Sequence, residues 1–125
     1  MVVLKGARTV IAAPDGSVVV APFENPALAT GGTGDVLAGT IGALLAQGLD
    51  PYAAARLGVF LHGTAGDSVR ERFGDAGLLA SDLPDALAMA RRRLSTVAER
   101  RKSDKRLGFR VRAPEPPTTP DPTPA

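Results

Sequence analysis

The segment that decides the fold is Asn25-Pro26-Ala27-Leu28-Ala29-Thr30-Gly31-Gly32-Thr33-Gly34-Asp35-Val36-Leu37-Ala38-Gly39. It is a turn rich in glycine and threonine that leads directly into a pattern typical of a helix. Several backbone N–H groups of such a turn can face one point, and the positive end of the helix dipole reinforces them. The turn formed by Gly31, Gly32, Thr33 and Gly34 is therefore predicted to hold an anion.

Two common phosphate-binding motifs do not fit this turn. A Walker loop requires a Lys-Ser/Thr pair after its glycines, and none follows Gly34. The dinucleotide fingerprint requires a third glycine, and Leu37 occupies that place. The turn is thus an anion site of another type.

Asp35 is unusual, because a carboxylate in the first helical turn suits the helix dipole but repels a bound phosphate. One interpretation makes Asp35 a helix-start residue that contributes about 0.5–1 kcal/mol. The other makes it a general base beside a phosphoryl site, which takes a proton from an attacking hydroxyl. The length of the glycine turn exceeds what a simple cap requires and favours the second interpretation.

Short β-branched runs precede the turn, at Val2–Leu4, Thr9–Ile11 and Ser17–Val20. Pro14-Asp15-Gly16 separates the last two runs and is typical of a tight turn. These runs predict three short strands, the last two of which form a hairpin.

Three helices are predicted after the turn. The first is expected to be buried and to stop at Gly48, and the second starts with Asp50-Pro51 as cap and first residue. The second helix is expected to end near Phe73-Gly74, and the third to start near Ser81-Asp82. The fold class is therefore α/β, with short N-terminal strands followed by three helices.

The composition limits the possible chemistry. The 125 residues suit one core, which must be aliphatic because 44% of the chain is hydrophobic and only 4% aromatic. The absence of Cys excludes disulfides and thiolate chemistry, and the single His excludes a multi-histidine metal site. Any metal would be a hard ion held by oxygen atoms.

The positive charge is concentrated in one segment. Arg91–Arg112 contains ten Lys or Arg and two acids, a local +8, whereas the rest of the chain carries −6. Phe109 is the one aromatic residue in that segment, so a solvated helix end is favoured over a nucleic-acid site and no nucleic-acid partner is expected.

The end of the chain differs in composition from the rest. Ala113–Ala125 contains six prolines, and the helical pattern fades from about Lys102. We therefore predict a domain over residues 1–101 and a disordered tail over 102–125, basic and then proline-rich. No apolar run is long enough for a membrane span and the start lacks a secretory signal, so no membrane partner and a cytoplasmic location are expected.

Four separated motifs resemble one family when they are taken together. They occur in the expected order at Leu4–Thr9, Asn25–Gly39, Leu61–Asp67 and Ala80–Leu83. The pattern closely resembles the C-terminal part of the ADP-dependent NAD(P)H-hydrate dehydratases, a family of the ribokinase-like superfamily. The resemblance covers roughly residues 1–94 and implies a truncated ribokinase-like domain.

The resemblance implies an enzyme, a hydro-lyase that repairs nicotinamide cofactors. Such an enzyme uses ADP to dehydrate hydrated NADH or NADPH and gives NAD(P)H, AMP and phosphate. By resemblance, Asp35 contacts the hydrated nicotinamide and is the base, and Gly34 contacts the adenylate. The resemblance assigns the other adenylate contacts to Lys5, Gly6, Ala7, Arg8 and Thr9. Mg²⁺ is expected to bridge oxygens of ADP, although no protein ligand for it is identifiable in the sequence.

Family members are considerably longer, so the chain is expected to be a fragment, and its exposed strand edge makes a homo-oligomer an open expectation. A small-molecule kinase of the same superfamily and a non-catalytic, nucleotide-binding remnant stay open as alternatives. His62 on the second helix is expected to be a structural histidine rather than a catalytic one. The sequence does not distinguish NADH hydrate from NADPH hydrate.

Overall fold

A computed structural model of the chain describes residues 1–106, and the predicted proline-rich segment lies outside them. Three short β-strands are followed by three α-helices, with single 3-10 turns before the first and the third helix. The elements are β1 (Val2–Leu4), β2 (Val10–Ala12), β3 (Val18–Val20), α1 (Thr33–Ala46), α2 (Pro51–Phe73) and α3 (Leu83–Arg106), with 3-10 turns at Pro26–Ala29 and Ala80–Asp82. The predicted order of short strands before three helices is confirmed.

The strands form an antiparallel sheet in the order β1-β2-β3. The hairpin between β2 and β3 closes through a hydrogen bond of 2.9 Å from the Ala13 amide to the Ser17 carbonyl. Gly16 has a φ of 88°, which a glycine adopts without steric cost. The predicted hairpin, and its turn residues, are therefore confirmed.

One face of the sheet is apolar and open to solvent. The register aligns Val2 with Ala12 and Val18, and Leu4 with Val10 and Val20. Directly opposed residues share a face, so all six side chains project to the same side. Val2, Leu4, Val18 and Val20 are each between 54% and 66% exposed. The opposite face carries Ile11, which is buried against the helices.

The ends of the helices follow the predicted capping residues. The Asp50 carboxylate accepts hydrogen bonds from the amides of Tyr52 and Ala53, at 3.0 and 3.2 Å, and Pro51 opens α2. Gly48 and Gly74 follow α1 and α2 with φ values of 89° and 82°. The two Asp50 bonds satisfy amides that the first turn of α2 leaves without a partner.

Glycines on α2 allow the loop before α1 to pack tightly on that helix. A Cβ added at Gly63 would lie 2.3 Å from the Phe23 ring, and one at Gly66 would lie 2.6 Å from Leu28. Neither approach is possible for a residue with a side chain unless its neighbour shifts. The small residues of α2 therefore fix the position of the loop that leads into the glycine turn.

The first helix is less buried than its sequence pattern predicts. Thr33, Leu37 and Leu44 are its buried residues, and Leu45 is 42% exposed. Within residues 1–106, nothing lies within 4 Å of the position that a Cβ on Gly39 or Gly42 would take. The expectation of a buried helix was wrong because periodicity marks an apolar side of a helix but does not show how many neighbours cover the rest.

The third helix extends further than predicted. It runs to Arg106, past Lys102 where the helical pattern was expected to fade, and residues 91–103 are all exposed. Its second half therefore leaves the body of the fold as a charged helix. No helix over residues 1–106 combines the length and the apolar character that crossing a membrane requires.

Candidate functional site

The glycine turn presents backbone amides that the fold does not use. The Thr30 carbonyl accepts from the Thr33 amide at 3.4 Å, and the Gly32 carbonyl accepts from the Asp35 amide at 3.1 Å. Over residues 1–106, the amides of Gly31, Gly32 and Gly34 donate to no protein acceptor. Gly32, with a φ of 85°, is the N-cap of α1 and makes no side-chain capping bond. The three free N–H groups lie at the positive end of α1, where an anion is stabilised.

Thr33 holds the turn from the inside. Its side chain is buried, and its Oγ1 lies 2.7 Å from the Leu28 carbonyl and 2.9 Å from the Thr30 carbonyl. The hydroxyl is thus committed to the loop. Thr33 therefore stabilises the predicted anion turn, and its hydroxyl is not directed to a bound anion.

Lys5 joins the end of β1 to the same turn. Its Nζ donates a hydrogen bond of 2.7 Å to the Leu28 carbonyl, and its Cδ lies 3.7 Å from where a Cβ on Gly34 would be. An ammonium group has three donors, so two N–H groups of Lys5 remain for another acceptor. The structure therefore brings together Lys5 and Gly34, two residues that the sequence places 29 positions apart.

A cavity of about 500 Å³ opens beside the contact between Lys5 and Leu28. Lys5, Gly6 and Ala7 form one wall, and the loop that carries Leu28 and Ala29 forms another. Ligand cavities are commonly of this size. Lys5 borders both the cavity and the glycine turn, so a molecule in the cavity could extend an anionic group toward the free amides.

Arg8 and Thr9 do not line this cavity, although they belong to the same predicted segment. The Arg8 Nε donates to the Glu24 carboxylate at 3.0 Å, and both side chains are largely exposed. Thr9 is buried, and its carbonyl accepts from the Ala21 amide at 2.8 Å. The structure thus places Lys5, Gly6 and Ala7 at the cavity, Arg8 on the surface and Thr9 in the core behind it.

Asp35 lies in the first turn of α1 with its side chain exposed. No hydrogen bond or ion pair ties its carboxylate to any residue whose side chain the structure describes. The interpretation of Asp35 as a helix-start residue therefore keeps its favourable position in the helix dipole but has no side-chain capping bond to support it. An unengaged carboxylate next to free amides is available for proton transfer.

The family model for NAD(P)H-hydrate dehydratase matches residues 1–89, which include the glycine turn, Asp35 and the whole cavity segment. This chain belongs to the NAD(P)H-hydrate dehydratase family. The predicted family membership is thereby confirmed.

Named members of the NAD(P)H-hydrate dehydratase family are similar to this chain over most of its length. The bifunctional NAD(P)H-hydrate repair enzyme of Moorella thermoacetica is 50% identical over 99 residues, which are 79% of this chain and 19% of that protein. The ADP-dependent (S)-NAD(P)H-hydrate dehydratase of Neisseria meningitidis serogroup B is 47% identical over 95 residues, which are 75% of this chain and 32% of that protein. The chain thus spans between a fifth and a third of the length of these relatives.

A solved structure confirms the ribokinase-like α/β fold of this NAD(P)H-hydrate dehydratase family member. The ADP/ATP-dependent NAD(P)H-hydrate dehydratase of Bacillus subtilis, co-crystallized with ATP and Mg²⁺, aligns with a TM-score of 0.68 and 42% identity. The alignment covers 72% of this chain and 32% of that chain.

Two long-range contacts and one local cap that hold the site of this family member were not predicted from the sequence. The Asn25 Nδ2 donates to the Asp67 carboxylate at 3.0 Å, while the Asn25 Oδ1 accepts from the Ala27 amide at 3.0 Å. The buried His62 on α2 places its Nε2 2.8 Å from the Thr33 carbonyl. The Asn25-Pro26 pair is a type of signal that could have indicated the local cap, although it was not used, and no local pattern reveals a partner that is 29 or 42 residues away.

A resident metal site is not formed by the described side chains. No group of three or more His, Asp or Glu among them is arranged to hold a metal ion. Mg²⁺ is usually held by one or two carboxylates together with the phosphates of a substrate. Asp35 is the carboxylate nearest in sequence to the free amides, so the residues present fit an ion that arrives with a nucleotide.

Proposed function

We propose that this chain takes part in the ADP-dependent dehydration of hydrated NADH or NADPH, a nicotinamide repair reaction that gives NAD(P)H, AMP and phosphate. The observation that carries the proposal is a set of three glycine amides that find no acceptor among residues 1–106, with Lys5 close to Gly34 in space. Asp35 follows Gly34 in the sequence, and its carboxylate is likewise unengaged within the described residues. Membership of the NAD(P)H-hydrate dehydratase family supports the choice of substrate. A cytoplasmic location remains part of this proposal, since both substrates must be present together.

The amides and Lys5 have the task of binding the diphosphate. Free amides of Gly31, Gly32 and Gly34 donate to phosphate oxygens, and the remaining N–H groups of Lys5 add positive charge. Gly6 and Ala7 have no long side chains, so the adenylate can lie against the wall that they form in the cavity of about 500 Å³. Arg8 and Thr9 support this wall from the surface and from the core.

Asp35 has the task of removing a proton. It takes the proton of the hydroxyl on the hydrated nicotinamide ring, and that oxygen attacks the terminal phosphorus of ADP as the bond to AMP breaks. The phosphorylated ring then loses phosphate from one carbon and a proton from its neighbour, which restores the ring double bond. Phosphate is a far better leaving group than hydroxide, so the first step makes the second possible.

Mg²⁺ brought by the nucleotide would neutralise charge on the phosphate oxygens when it is bound. Asp35 is the candidate protein ligand as well as the base. Among the described side chains, no group of three or more His, Asp or Glu is arranged to hold that ion.

The proposal is tested by incubating the chain with ADP, Mg²⁺ and hydrated NADH while the absorbance of the reduced nicotinamide is followed. We expect recovery of that absorbance by the parent and a loss of turnover of about 10²–10⁴-fold in Asp35→Asn. Asp85→Asn is the matched control, because Asp85 is also an exposed acid in the first turn of a helix.

The alternatives give different results in the same assay. ATP-dependent phosphorylation of an alcohol without recovery of NADH would favour a small-molecule kinase. Binding of ADP without any turnover by the parent would favour a nucleotide-binding remnant. Unchanged turnover in Asp35→Asn would remove Asp35 from the mechanism.

A further inference from the structure

His62 is a buried polar residue on α2, and its ring makes a hydrogen bond to the glycine turn at the start of α1. It lies on α2 and is 4% exposed, and its Nε2 is 2.8 Å from the carbonyl oxygen of Thr33 at the start of α1. It does not line the cavity of about 500 Å³ but a separate one of about 30 Å³, which it shares with Lys5, Gly6 and Ala7. We infer that His62 is a positioning residue, which directs the Gly34 amide toward the bound phosphate. This inference rests on the function proposed above.

The direction of the hydrogen bond fixes the tautomer of His62. A carbonyl oxygen only accepts, so the Nε2 must carry the proton and donate it to Thr33. Burial lowers the pKa of His62 below its ordinary value, and the nearby charge of Lys5 lowers it further, against the opposing effect of the Thr33 carbonyl. The ring is therefore a neutral donor with a defined orientation.

The geometry of the peptide bond transmits this orientation to Gly34. The carbonyl of Thr33 and the N–H of Gly34 belong to one planar trans peptide group and point in opposite directions. A carbonyl held toward His62 on α2 thus turns the Gly34 N–H away from α2. That N–H meets no protein acceptor in the part of the chain that the structure describes.

Apart from the bond to His62, the hydrogen bonds of the turn over the described residues run only to its own loop and to the start of α1. Gly31 and Gly32 have wide backbone freedom, and α1 starts without a side-chain cap. Thr33 ties the turn to its own loop through Leu28 and Thr30. His62 adds the bond to α2, whose position relative to that loop is fixed by the close contact of Gly66 with Leu28.

The test compares His62→Leu, which removes the donor, with His62→Gln, whose amide N–H can donate in place of the Nε2. The quantities to measure are the affinity of the full chain for inorganic pyrophosphate, by calorimetry, and the shift that pyrophosphate induces in the amide resonance of Gly34, by ¹⁵N NMR. In His62→Leu we expect an affinity about tenfold weaker and a smaller pyrophosphate-induced shift of the Gly34 resonance, since one hydrogen bond is lost. In His62→Gln we expect both quantities to stay close to those of the parent. Ser68→Ala, also on α2, is the control.

A residue that merely fills the core would change unfolding but not these two quantities. Equal pyrophosphate affinity and an equal pyrophosphate-induced shift of Gly34 in folded His62→Leu would overturn the inference. Equal weakening in Leu and Gln variants that both fold would overturn it as well, because the donor would then be irrelevant.

Two further outcomes are measured on the parent chain and do not depend on whether a variant folds. A proton on Nδ1 rather than Nε2 in the parent, read from the imidazole ¹⁵N shifts, would contradict the positioning role directly. A parent chain that binds neither ADP nor pyrophosphate would instead refute the proposed function on which the inference rests. The two failures are therefore distinguishable.

Discussion

The Nζ of Lys5 donates a hydrogen bond of 2.7 Å to the carbonyl oxygen of Leu28, and this bond ties the end of β1 to the loop that precedes α1. It places a positive charge at the border between the glycine turn and the cavity of about 500 Å³.

The first prediction concerns this charge. Lys5→Met should weaken ADP binding by about 10- to 100-fold, because a charge-assisted hydrogen bond to phosphate is lost. Calorimetry at two salt concentrations measures the effect, which should be larger at the lower one. Lys102→Met removes the same charge from the exposed part of α3 and should leave the affinity unchanged. A similar loss in both variants would show a general effect of net charge.

The second prediction concerns pH. Burial lowers the pKa of His62 in the folded chain below its ordinary value of 6.5. When the pH drops below 6.5, His62 therefore binds a proton in the unfolded chain while it stays neutral in the folded chain. The contribution of His62 to the free energy of unfolding should therefore be constant above that pH and fall as the pH drops below it, by at most about 1.4 kcal/mol per pH unit. Urea unfolding at several pH values should show this decline in the parent and a shallower one in His62→Gln. Equal slopes in both would contradict a buried neutral histidine.

The third prediction concerns the close approach of Phe23 to α2. Gly63→Ala places a Cβ 2.3 Å from the Phe23 ring and should lower the free energy of unfolding by about 1–3 kcal/mol. Gly42→Ala is the comparison, since a Cβ there meets nothing within 4 Å among the described residues. It should leave stability unchanged or raise it by about 0.5–1 kcal/mol, because alanine favours a helix. Denaturant titration of both variants measures the difference.

The fourth prediction concerns the apolar face of the sheet. Val18 and Val20 are 59% and 54% exposed, and we expect the chain to self-associate through this face as its concentration rises. The double variant Val18→Thr, Val20→Thr keeps β-branched side chains and should raise the concentration needed for association by about tenfold. Sedimentation velocity measures the change, with Val97→Thr on α3 as an equally exposed control. A parent that stays monomeric at every concentration would contradict this prediction.

The sequence predicts those parts of the fold that depend on neighbouring residues. The Pro14-Asp15-Gly16 turn, the Asp50 cap and the glycines after the helices are local features, and the structure contains each of them. The same holds for the glycine turn at the start of α1.

Features that depend on tertiary contacts were not predictable in the same way. The sequence did not show that the Thr33 hydroxyl turns inward, that His62 reaches the Thr33 carbonyl, or that Asn25 pairs with Asp67. These contacts join segments that only the packing of α2 brings together. The overestimated burial of α1 has the same origin, because a periodic pattern does not count the neighbours of a helix.

The most direct measurement is an NMR titration of the ¹⁵N-labelled parent chain with ADP and Mg²⁺. If the free amides of the glycine turn bind the diphosphate, the resonances of Gly31, Gly32 and Gly34 should move together and saturate at one affinity, while that of the distant Gly48 stays fixed. Saturable ADP binding that leaves the three turn resonances unmoved, or no binding of ADP at all, would contradict this.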